Sequence, residues 1–111
     1  MSLDHELAER VRDELTDEAG LAEKAMFGGL AFLLDGNMAV GITSAGELMV
    51  RVGAAGESDA LAEPHARPFD MTGRPMKGWI IVEQAGIETE AELNRWVRQG
   101  VEFARGLPAK R

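Results

Sequence analysis

Cysteine and tyrosine are absent from this chain, and histidine and tryptophan occur only twice each in 111 residues. Without cysteine there is no disulfide, no thiolate nucleophile and no thiolate metal site, and cytoplasm is the compartment expected. Two histidines give little material for a metal centre. His5 and Glu9 stand four apart on a helical pattern and His65 lies near Glu63, but two ligands do not make a site. No run of about 18 apolar residues is present, so no helix that spans a membrane is expected. The start, Met1-Ser2-Leu3-Asp4-His5-Glu6, lacks the basic-then-apolar layout of a signal peptide. Also missing are a Gly-x-Ser-x-Gly elbow, a Walker-type phosphate loop and a His-Glu-x-x-His helix, and the pair Gly28-Gly29 does not make a dinucleotide fingerprint. The residues therefore predict no catalytic group, no cofactor and no metal, which is the pattern of a non-enzyme.

What is present is an ordinary globular balance, 45% apolar and 28% charged, at a length that encloses one core, so one domain over 1–111 is expected. The net charge of −7 is unevenly spread. Residues 1–23 hold eight acids against Arg10 and Arg12, whereas from Glu83 onward there are five of each sign. An acidic surface repels phosphate backbones, which argues against direct nucleic-acid binding.

Leu3, Leu7, Val11 and Leu15 recur at four-residue steps and predict an amphipathic helix over 3–18, capped by Ser2 or Asp4 and ended by Ala19-Gly20. Met26 to Leu34 is apolar on both alternating sets and predicts a strand covered on both faces. Asp35-Gly36-Asn37 is a tight-turn signal. It leads to a strand over Met38–Thr43, with Met38, Val40 and Ile42 on one face. After Ser44–Glu47 turns, Leu48–Val52 predicts a third strand with Met49 and Arg51 outward. A short helix over Ser58–Ala62 with Ser58 as cap, a long loop from His65 to Lys77 and a strand at Gly78–Val82 follow. Thr89-Glu90-Ala91-Glu92 is a capping box, and Leu93, Trp96, Val97, Gly100, Val101 and Ala104 then mark a closing helix. The fold class is α+β: an antiparallel sheet, a meander plus a further strand, flanked by amino- and carboxy-terminal helices mostly on one side.

Two blocks stand out. Met26-Phe27-Gly28-Gly29 reads first as core and close-packed backbone, with a free-amide bulge as its functional alternative. His65, Arg67, Phe69, Arg74, Lys77 and Trp79 interleave cations with aromatic rings, and Arg51 extends that face. Such a surface suits an anionic ligand, an acidic protein face or a single strand of nucleic acid. Its structural counterpart is Arg74 paired with acids while Phe69 and Trp79 fill the core.

Taken in order, Met26-Phe27-Gly28-Gly29-Leu30, Leu34-Asp35-Gly36-Asn37-Met38, Leu48-Met49-Val50-Arg51-Val52 and Gly73-Arg74-Pro75-Met76-Lys77-Gly78-Trp79 resemble the amino-terminal domain of the TfoX/Sxy competence regulators over about Leu3 to Pro108. The resemblance implies a secretion-chaperone-like α+β arrangement in a stand-alone single-domain member, with Met26, Phe27, Gly28, Gly29, Gly73 and Gly78 as its motif. It also implies a part in regulating natural transformation, where the full-length regulators act with the cyclic-AMP receptor protein on promoters. The function expected is a non-enzymatic interaction or regulatory module that binds a protein partner through its sheet edge or basic loop, assembled as a homodimer through the doubly apolar strand and an exposed Met49. The alternative is a small anionic-ligand domain or minor enzyme with a pocket near 65–79.

Overall fold

The computed structural model describes residues 5–26, 28–69 and 76–108. The expected caps Ser2 and Asp4, and Phe27, Asp70, Gly73 and Arg74 from the two blocks, lie outside the described residues. The chain forms α1 (His5–Glu14), β1 (Leu21–Met26), β2 (Gly29–Leu34), β3 (Asn37–Ile42), β4 (Leu48–Arg51), α2 (Glu57–Leu61), β5 (Ala66–Pro68), β6 (Trp79–Val82), a 3-10 turn at Gln84–Gly86 and α3 (Glu90–Arg105). The strands make one open antiparallel sheet in the order β1-β2-β3-β4-β6-β5. This is the α+β fold that the periodicities predict.

One face of that sheet carries the main core. Leu30, Phe32, Leu34, Val40, Ile42, Leu48, Val50, Ile80 and Val82 alternate along their strands and meet Leu7, Val11 and Leu15 from the first helix and its exit turn, Ala60 of α2 and the apolar stripe of α3. The six positions named for α3 are its buried residues, and Thr89 with Glu92 closes the reciprocal capping box. Burial of this stripe, rather than helix propensity, holds α3 on the sheet.

Several expectations change. The strand expected from Met26 is two strands, since β1 pairs with β2 in a hairpin whose register runs Met26↔Gly29. Gly28 takes φ of 77° in its two-residue loop, a conformation open to glycine. At the next hairpin Asp35 and Gly36 both have positive φ, 52° and 84°, and Leu34 pairs with Asn37, as the Asp-Gly signal demands. Between Phe32↔Val40 and Leu33↔Met38 the register slips by a bulge at Ala39. The extra residue turns Met38 away from Val40 and Ile42 onto the opposite face. Glycine, not Ser58, occupies the start of α2, where Gly56 precedes Glu57 with no side-chain cap. Part of the expected loop after His65 is β5, which tolerates Pro68 because it is an edge strand.

Candidate functional site

All three helices pack on one face, and among the described residues the other face of the sheet carries no helix. Strand alternation brings Met49, Trp79 and Ile81 together there, and Phe69, just past β5, closes over them, its ring 6.2 Å from that of Trp79. Met49, expected to be outward and bare, is only 6% exposed under this cover. The exposed-methionine argument for a homodimer is thereby removed.

Beside this cluster runs a groove of about 400 Å³ lined by Lys24, Met26, Leu33, Gly36, Met38, Arg51, Met76 and Trp79. The β1 and β2 hairpins give one wall; Met76 and Trp79, across β4, give the other. Met76 is the large apolar side chain most open to water among the described residues, at 45% exposure. Arg51 enters because β4 and β6 pair with Arg51 opposite Trp79. Its guanidinium carbon lies 5.7 Å from the Trp79 ring and 5.2 Å from that of Phe103 on α3. Two aromatic faces thus hold the cation in position. It makes one long bond, from Nη1 to the Met38 carbonyl at 3.4 Å.

The other arginines differ. Arg12 pairs with Glu23, Arg95 with Glu63, Arg98 with Glu18, and Arg105 with Glu18 and Asp35. Arg10 donates to the carbonyls of Ile87 and Thr89. Among the described arginines, Arg51 alone is half-buried with neither a carboxylate nor a close carbonyl to receive its N–H groups. The carboxyls held below their ordinary range are elsewhere: Glu18 by hydrogen bonds from Arg98 and Arg105, Glu23 by Arg12, and Glu92 by the backbone and side chain of Thr89.

The expected cationic constellation is divided. Arg51 and Trp79 share the groove. Arg67, on β5, reaches across β6 to pair with Glu47 and lies 3.6 Å from Glu83, so its charge is answered within the fold. His65 sits in the turn before β5 with φ of 69°, exposed, its carbonyl accepting from Glu83 N–H at 2.9 Å. Lys77 is exposed in the turn before β6. Gly78 has φ of 89°, and its carbonyl accepts from Val52 and Gly53 while its N–H donates to Glu57 at 3.2 Å. Lys24, Leu33, Gly36, Met38 and Met76 line the groove without being site candidates from the sequence; the local signal was Lys24, a cation set beside the apolar Met26 strand.

Among the described residues, no group of three or more His, Asp or Glu is placed to hold a metal ion, and no helix is long and apolar enough to cross a membrane. A family model described as the TfoX N-terminal domain matches residues 13–104. No curated protein and no solved structure matches the chain.

Proposed function

The chain belongs to the TfoX N-terminal domain family, and on that premise we propose that it is a non-enzymatic regulatory module, connected with competence, that docks a protein partner on the helix-free face of its sheet. The observation that carries this reading is the Arg51 guanidinium, set against two aromatic rings at an apolar groove and, among the described residues, without a carboxylate, in an acid-rich chain. Half-burying a cation with only one long hydrogen bond and no carboxylate among the described residues costs stability, which supports a role in recognition. The methionines around it give an apolar surface that adapts to a partner's side chains. His65, Arg67, Lys77 and Arg74, proposed from the sequence, stand outside this groove or outside the described residues and are secondary to Lys24, Arg51 and Trp79.

A second reading is a small anionic ligand in the same groove, since about 400 Å³ lies within the range of small-molecule sites. The two separate on what is captured. Protein made with a photoreactive methionine analogue in its native cell is expected to cross-link to a protein partner through Met26, Met38 or Met76. Cross-links confined to other positions, or their absence at these three, would overturn the docking reading. Homodimerisation is not needed for it, and a monomer by light scattering leaves it intact.

A further inference from the structure

We propose, resting on the docking reading above, that the occupant of the groove is an acidic amphipathic helix of the partner, which lays leucine-like side chains over Met26, Leu33, Met38 and Met76 and places a carboxylate on Arg51. Three observations point to that chemistry.

The first is charge. Lys24 and Arg51 are the charged residues of the groove lining, and no carboxylate lines it among the described residues, although the whole chain has a net charge of −7. The groove is therefore a local reversal of the protein's own sign, which attracts anionic segments and rejects cationic ones. The second is preorganisation. Arg51 is fixed by Trp79 and Phe103 at 5.7 and 5.2 Å, so the side-chain ordering that usually opposes a guanidinium–carboxylate pair is largely complete before binding. Its planar fork retains N–H groups for a bidentate acceptor.

The third is backbone accounting. The groove floor is formed by β2, β3 and β4, each paired on both sides within the sheet. Over β2, and where Val40–Ile42 of β3 faces Leu48–Val50 of β4, the N–H and C=O groups are in ladders on both sides, so an incoming chain gains chiefly side-chain contacts there and must satisfy its own backbone. A helix does this; an added strand would need the free edge of β1 or β5 instead. A helix on this face would also give the sheet a second covering layer to match the α1 and α3 side.

The test is a titration with a synthetic helical peptide carrying leucines on one face flanked by glutamates, followed by methionine-methyl NMR and calorimetry. Expected are shifts of the Met26, Met38 and Met76 methyls. A peptide with glutamine for glutamate should bind about tenfold more weakly, as should Arg51→Gln protein with the glutamate peptide. Lys24→Gln, at an exposed strand position, should weaken it about threefold, and affinity should fall as salt is added. That variant and the salt series carry the test if Arg51→Gln does not fold. Equal binding of the two peptides, or methyl shifts away from the groove, would overturn the proposal. So would binding of decanoate with none of the glutamate peptide, which would assign the groove to a small anionic amphiphile. Failure of the peptide with photo-cross-linking to a partner at these methionines would remove the acidic helix while leaving the docking face in place.

Discussion

Gly29 lies so close to Ile42 that a Cβ on the glycine would stand 2.0 Å from the Ile42 carbonyl oxygen. The contact is backbone on backbone, between two paired central strands, and neither can withdraw without breaking the ladder. Gly29→Ala is therefore expected to cost on the order of 1–3 kcal/mol, read as a lower denaturation midpoint with an unchanged slope. Gly28, at φ of 77° beside the exposed Ser44, should lose about 1 kcal/mol as alanine through its backbone conformation alone. Wild-type stability in Gly29→Ala would show that the glycine pair is not there for packing.

Glu18 ties the last two turns of α3 to the exit of α1: Arg98 and Arg105 each reach it at 3.0 Å. Their hydrogen bonds hold its carboxyl below the ordinary range, as Arg12 does for Glu23 and Thr89 for Glu92. A carboxyl with a depressed folded pKa adds stability above its unfolded value and loses it as pH falls through the folded one. The thermal midpoint is expected to be flat near neutrality and to fall below the ordinary carboxylate range. Glu18→Gln should lower stability at neutral pH by about 1 kcal/mol, from two partly exposed pairs, and should make the acid decline shallower. An equally steep decline in that variant would mean that other groups control it.

Thr89 caps the start of α3: its Oγ1 accepts from Glu92 N–H at 3.1 Å. Because α3 covers β3 and β4 and supplies Trp96 to the core, its first turn is coupled to global stability. Thr89→Ala should cost about 1 kcal/mol and Thr89→Ser much less, as measured by chemical denaturation. Amide exchange would show the loss concentrated in the first turn.

The helix was legible because its signals are local: a capping box and six apolar positions at helical spacing specify both its start and its buried face. The edge strands were not. In β1, Glu23 and Lys24 break the apolar run because an edge strand is half solvated, and β5 is three residues long with a proline. The face of Met38 was misread because alternation holds only without a bulge, and Ala39 adds the extra residue. Arg51 and Trp79 were both legible as site residues, but their meeting depends on β4 pairing with β6 across an intervening helix and strand. Neutralisation of Arg67 by Glu47, 20 residues away across the sheet, leaves no local trace in sequence. Long-range register therefore separates the chemistry that spacing can show from the chemistry that only the fold assembles.

Among the described residues Asn37 is the buried polar one, 2% exposed, and its Nδ2 donates to the Pro108 carbonyl at 2.8 Å. It fastens the chain beyond α3 to the turn between β2 and β3. Asn37→Asp keeps the shape but puts an acceptor where a donor is required and buries a charge, at an expected cost of about 3 kcal/mol at neutral pH. The buried carboxyl would have a folded pKa above its unfolded value, so its destabilisation applies when it is ionised and is relieved on protonation, when its O–H donates to Pro108. The gap between variant and wild type should therefore narrow as pH falls, because protonating the introduced carboxyl restores stability, whereas protonating Glu18 removes it. A gap that stays constant from neutral to acidic pH would show that Asn37 acts through turn geometry rather than through this hydrogen bond.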